Sequence, residues 1–156
     1  MSRPPESLND LVAQVEHIFM EQIPFNKLLG MHVEKLSFDG AVIRVDMREE
    51  LVGNFIQGIL HGGVISSVLD VTGGLTAFMS LLKKMESIPD HEKLARLSRF
   101  GTIDLRIDYL RPGRGKYFVG SGNLLRSGNR VAVTRMELHN DEKTLIAVGT
   151  GTYVVV

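Results

Sequence analysis

The sequence predicts an α+β fold, with an antiparallel sheet of about six strands wrapped around one long central helix and an extra N-terminal helix ahead of it. Three observations carry this. The last third of the chain alternates apolar and polar residues and is broken only by short turns. Two similar stretches joined by a tight turn lie near the start. Between them runs a segment too long for a strand and too apolar to stand uncovered.

The elements follow in order. Residues 1–6 form a tail, and Ser7–Gln22 reads as a helix with Leu8, Leu11, Val12, Val15, Ile18 and Phe19 on one stripe. Ser7 and Asp10 suit a capping box, and Pro24 stops the helix. "FNKLLG" adds one turn ending at Gly30. Strands are expected at Met31–Ser37 and Ala41–Arg48 around the turn "FDG". "EELVGNFIQGI" is a loop leading into the central helix, Gly62–Met85. "ESIPDHEKLARLSRFG" is a loop with a short helix, capped by Asp90 and ended by Gly101. In Thr102–Leu110 strict alternation puts Ile103, Leu105, Ile107 and Tyr109 on one face and Thr102, Asp104, Arg106 and Asp108 on the other. After the turn "RPGRG" come Tyr117–Leu125 and Arg130–His139, joined by "RSGN". The turn "HNDEK" leads to Leu145–Val156. Turns this short imply antiparallel pairing.

The 156 residues suit a single domain, 1–156. Eighteen basic residues balance eighteen acidic ones, so no global charge favours nucleic acid or a membrane surface. No tryptophan is available for base stacking, and with no cysteine there are no disulfides, thiolate metal sites or cysteine nucleophiles. His17, His32, His91 and His139 are scattered, without metal-ligand spacing. The start of the chain lacks a signal-peptide pattern, and no run approaches about 18 consecutive apolar residues, so a cytoplasmic protein without membrane spans is expected.

The chemistry concentrates in "ILHGGVISSVLDVTGGLTAF", residues 59–78. Asp70 falls among Val68, Leu69, Val71, Leu75 and Phe78, where an ionised carboxylate is costly unless paired or hydrated. Its helical neighbours are Ser66, Ser67, Gly73 and Gly74, all small. Two glycines inside a helix cost roughly 2 kcal/mol, which implies a close approach by a ligand or by a partner helix. In the second case a serine or arginine would hold Asp70 and no chemistry follows. At the helix start, His61, Gly62 and Gly63 offer free N–H groups at the positive end of the dipole, able to stabilise an oxyanion. The alternative there is a flexible first turn with a capping histidine. Nine residues of helix separate His61 from Asp70 by roughly 13 Å and turn them to opposite sides. If both serve one reaction, the site is assembled from two chains.

"GNFIQGILHGGVISSVLDVTGGLTAF" resembles the signature of the PaaI-type hotdog-fold acyl-CoA thioesterases, in which an Asp follows nine residues after the His of H-G-G. "IDLRIDYLRPGRG" resembles that family's strand ending in Y-x-x-P, and "LLRSGNRVAVTRMEL" its penultimate hairpin. The resemblance runs from about Phe25 to the C-terminus. It implies a hotdog fold, hydrolysis of acyl-CoA thioesters and a homodimer, with tetramers among relatives and no cofactor. By it, Asp70 matches the catalytic carboxylate, acting as general base or nucleophile. Gly62 matches the backbone N–H that binds the thioester oxygen, and His61 shapes the same corner. Thr102 matches a hydroxyl that helps hold the attacking water. Many relatives carry Asn or Gln six residues before the His; here that position is Phe55, and either Asn54 or Gln57 supplies the polar donor. Gly63, Ser67, Gly73, Gly74 and Phe78 are the expected acyl-thioester surface, Met79 lies beside them, and Arg111 and Arg114 are the expected coenzyme A phosphate contacts. Arg126 and Arg130 are solvated turn residues or further phosphate contacts. A hydratase or dehydratase of acyl thioesters is the alternative within the fold, although the H-G-G-x6-D order argues against it. A non-catalytic acyl-CoA binding module is the alternative from another class.

Overall fold

The computed structural model describes residues 8–156, and the expected tail and the Ser7 cap lie outside them. Eight strands and four α-helices follow one another: α1 (Leu8–His17), α2 (Pro24–Leu29), β1 (His32–Ser37), β2 (Gly40–Asp46), β3 (Val52–Asn54), β4 (Ile59–Leu60), α3 (Gly62–Lys84), α4 (Asp90–Ala95), β5 (Gly101–Tyr109), β6 (Tyr117–Ser127), β7 (Val131–Asn140) and β8 (Leu145–Val154). Six strands form one antiparallel sheet in the order β1-β2-β6-β7-β8-β5. The sheet curls around α3.

The apolar stripe of α3 forms the centre of the core. Val68, Leu69, Leu75, Phe78, Met79 and Leu82 are buried against Ile43, Val45, Phe118, Met136, Leu138 and Ile146. By length and composition α3 is also able to span a membrane, but most of it is buried inside the protein. Thr72 and Thr76 turn their hydroxyls back onto the carbonyls of Val68 and Thr72, so neither polar group is stranded in the core. Leu11, Val15 and Phe19 bring the N-terminal helix onto the same core. A row of rings then crosses the molecule: Phe19 to Phe78 (6.0 Å), Phe78 to Phe100 (5.4 Å) and Phe100 to Tyr153 (5.9 Å). Each such pair contributes about 0.5–1.5 kcal/mol beyond burial.

Several local expectations change. The first helix passes into a π-turn at Ile18–Gln22 before Pro24. The expected loop at residues 49–59 is a 3-10 turn at Glu49–Leu51 followed by the small β3–β4 ribbon. Asp90 does not cap α4. It pairs with Lys93 at 2.8 Å, and Gly101 begins β5 rather than ending a helix. The largest change is in β5, where the register shifts between Thr102 and Asp104. Thr102 pairs with Tyr153, and Leu105 and Ile107 pair with Gly151 and Gly149. Thr102 therefore shares the inner face with Leu105 and Ile107, opposite to what strict alternation gives, and Ile103 is left 54 % exposed.

Candidate functional site

Asp70 sits half-buried in the middle of α3. The β5 bulge turns the Thr102 hydroxyl inward, where it donates to Asp70 Oδ1 at 2.9 Å. The hydroxyl of Tyr153, fully buried on β8, lies 3.0 Å from the main-chain oxygen of Asp70 and 3.3 Å from the same Oδ1. No group among the described residues donates to Oδ2. No buried side-chain oxygen among the described residues is left without a partner, so Oδ2 is not sealed from the surface of the subunit. Burial pushes the Asp70 carboxyl above its ordinary value, and the Thr102 and Tyr153 hydroxyls partly offset this. A carboxylate with one oxygen fastened, one open and a raised proton affinity is suited to take a proton from water.

Gly73 and Gly74 are not at an open surface, which corrects their expected place on the substrate. A Cβ on Gly73 would lie 2.5 Å from the Tyr153 hydroxyl, and one on Gly74 would lie 3.3 Å from its ring. What approaches the helix here is a tyrosine of the protein's own sheet. Phe78 is likewise fully buried between Phe19 and Phe100, as is Met79 in the core, so neither borders an opening. Ser67 is half-buried and donates to the Gly63 carbonyl at 2.6 Å.

At the start of α3, His61 is the N-cap and its Nδ1 accepts from the Gly63 N–H at 2.8 Å. Gly63 is needed there because a Cβ would come within 2.9 Å of that nitrogen. The N–H groups of Val64 and Ile65 go to the His61 carbonyl. The Gly62 N–H makes no hydrogen bond among the described residues, and it stands at the positive end of a 23-residue helix. Tyr109 donates to the Gly62 carbonyl at 3.0 Å and fixes this first turn. Two surface hollows meet at Gly62: one is bordered by Asn54, Phe55 and His61, the other by Ile65, Tyr109 and Pro112.

The two polar candidates ahead of His61 differ in position. Asn54 borders the hollow beside Gly62. Its Oδ1 accepts from the Ile56 and Gln57 N–H groups, each at 3.2 Å, which leaves its amide NH2 as the free end. Gln57 is held elsewhere, since Arg114 donates to its carbonyl and to its Oε1, both at 3.0 Å. Arg114 is in turn fixed through its own carbonyl by the Asn140 side chain at 2.7 Å. As it stands, Arg114 is a clamp on the Asn54 loop rather than a free cation. Arg111 is exposed and donates to the Leu145 carbonyl at 2.9 Å. Arg126 and Arg130 border a separate hollow at the β6–β7 turn.

Tyr153 and Tyr109 escape the sequence reading. The signal for Tyr153 is missing bulk on two facing elements, Gly73 and Gly74 on α3 and Gly151 on β8, where its ring and hydroxyl take the space. Tyr109 is the tyrosine of the Y-x-x-P strand end, but nothing in the sequence ties it to the first turn of α3.

A long buried helix under an antiparallel sheet, with a carboxylate at its middle and a free N–H at its start, defines a hotdog-type enzyme. Residues 57–147 match the model of the Thioesterase superfamily. The chain is 50 % identical over 141 residues, 90 % of its length and 91 % of the relative's, to the medium/long-chain acyl-CoA thioesterase YigI of Escherichia coli. A crystal structure of a Shewanella oneidensis protein related to the thioesterase superfamily superposes with a TM-score of 0.91 at 49 % identity, covering 95 % of this chain and 97 % of that one. The E. coli PaaI protein shares the fold, with a TM-score of 0.74 at 18 % identity and 96 % of both chains covered. The chain belongs to the thioesterase superfamily.

Proposed function

We propose that the chain hydrolyses medium- to long-chain acyl-CoA thioesters in a site shared by two subunits, with Asp70 as the base. The acyl-CoA thioesterase activity follows from the family and from the half-identical relative. The finer reading rests above all on Asp70, whose Oδ1 is fastened while Oδ2 is left open. Water held at Oδ2 attacks the thioester carbonyl carbon and passes its proton to the carboxylate. The carbonyl oxygen takes the electron pair, stabilised by the Gly62 N–H and the Asn54 amide. Collapse of this intermediate breaks the C–S bond, and the proton on Asp70 goes to the departing coenzyme A thiolate.

Gly62 lies eight residues before Asp70, roughly 12 Å along the axis of α3, so one subunit does not present both to one carbonyl. Along α3 the side bearing Asp70 is incompletely covered: Gly63 is exposed, and Ser66, Ser67 and Val71 are half-buried. Small side chains there allow a second copy of α3 to approach, which brings Gly62 of the partner toward Oδ2.

The test is release of free thiol from coenzyme A esters of graded chain length, with wild type beside Asp70→Asn. Turnover of C8–C16 esters by the wild type, with the variant binding but not hydrolysing them, supports the reading. A variant that hydrolyses them at the wild-type rate refutes the role of Asp70.

A further inference from the structure

Three glycines are arranged around Tyr153. A Cβ on Gly73 would meet its hydroxyl at 2.5 Å, a Cβ on Gly151 would overlap it, and Gly74 clears space for the ring edge. The ring stacks on Phe100 with 7° between planes, and Phe100 packs edge-on against Phe78. Both sides of the phenol are thus fixed by core packing, and so is the point in space where its oxygen lies.

Filling that space needs only the ring. A phenylalanine would pack with the same neighbours, so the hydroxyl has to be explained by what it touches. It lies within 3.0 Å of the Asp70 carbonyl and 3.3 Å of Oδ1. The Thr134 hydroxyl donates to Met136 Sδ at 3.1 Å, and the acceptors within reach of the phenol's proton are the Asp70 carbonyl and Oδ1. Burial and the Asp70 charge push the phenol well above its ordinary value, so it remains a donor throughout the working pH range.

We propose that Tyr153 is a positioning residue: its hydroxyl, paired with that of Thr102, fastens Oδ1 of Asp70 and leaves Oδ2 as the oxygen that meets the reacting water. The two donors come from adjacent strands, β5 and β8, at paired positions. They hold one carboxylate oxygen from two directions, which fixes the carboxylate plane as one donor does not. The proposal rests on Asp70 being the base. It adds that the base is oriented from inside the core, by a residue that touches neither water nor thioester.

The groups facing Asp70 from the elements packed on its helix are the Thr102 and Tyr153 hydroxyls. None is charged at working pH, and no other ionisable side chain of the described residues contributes to the shift at Asp70. Loss of the Tyr153 donor therefore raises the Asp70 pKa with nothing nearby to offset it.

The test is Tyr153→Phe, assayed for kcat, KM, pH profile and Tm beside Asp70→Asn. The expected result is a kcat about tenfold lower, as for loss of one hydrogen bond to a charged group, with KM within about twofold. The acid limb of the kcat profile moves to higher pH. Thr102→Val removes the other donor to Oδ1 and moves the limb the same way, which keeps the test open if Tyr153→Phe folds poorly. Wild-type kcat and pH profile in both variants, with only Tm changed, would overturn the proposal and make Tyr153 a packing residue. If Asp70→Asn itself stays active, the assignment of the base falls and this inference falls with it. If Asp70→Asn is inactive and Tyr153→Phe behaves as wild type, only the inference falls.

Discussion

In the proposed mechanism the start and the middle of α3 carry the two halves of the chemistry, and they are built in opposite ways. At the middle, Asp70 is embedded: its partners come from two strands of the central sheet, and the rings that hold Tyr153 continue into the N-terminal helix. At the start, Gly62 and Asn54 lie at the surface among loops, held by hydrogen bonds from Tyr109 and, through Gln57, from Arg114. The base needs a medium that raises its proton affinity, which the core supplies. The oxyanion donors need free N–H groups beside an open hollow, which a helix end and a loop supply. Substitutions at the middle should therefore change the pH dependence, and substitutions at the start should change rate without moving it.

The largest effect is expected from Asp70→Asn. Loss of the base should lower kcat by about 10³-fold while calorimetric binding of acyl-CoA is retained. Next comes Gly62→Pro, which removes the free N–H at a position where proline fits the first turn of a helix. A Cβ there makes only ordinary contact, 3.4 Å from the Tyr109 ring. A fall of about 10²-fold in kcat with an unchanged pH profile is expected. A shifted profile would break the separation between the two halves.

Arg114→Ala sharpens the comparison on the loop side. As the clamp on Gln57, Arg114 should cost a few-fold in kcat, about 1 kcal/mol, whether the substrate is a coenzyme A ester or an acyl-pantetheine that lacks the nucleotide phosphates. A loss confined to KM of the coenzyme A ester would instead make Arg114 a phosphate ligand. The smallest effect is on stability. The Asp70 pKa is raised in the folded state, so ionising it costs stability. That cost is absent below the ordinary carboxylate value and complete above the raised one. Asp70→Asn should therefore melt above wild type at neutral pH, by about 2–4 °C for each roughly 1 kcal/mol relieved, and the gain should vanish on acidification.

Much of this was legible in the sequence. The central helix begins at Gly62 as expected, ends one residue short of Met85, and the six sheet strands follow the expected order, because patterning and turn residues agree there. Asp70 stood out because a carboxylate flanked by small residues conflicts with its surroundings. The meaning of that conflict was not legible. Gly73 and Gly74 are small because of Tyr153, 80 and 79 residues further along the chain, and periodicity within one helix does not reveal a partner that distant. The face of Thr102 was misread because one bulge reverses alternation, and no glycine or proline marks the extra residue at Ile103. The Arg114 clamp holds the Gln57 side chain and leaves the Asn54 amide free, a difference that spacing before His61 does not carry.

The central claim is that the base and the oxyanion donor of one site come from different subunits. It is tested most directly by mixing inactive Asp70→Asn and Gly62→Pro chains, unfolding them together and refolding. In a mixed dimer one site carries both substitutions and the other carries neither. Random pairing should then restore about a quarter of wild-type activity. No recovery, with mixed dimers demonstrated by mass, would place both groups in one chain and contradict the account.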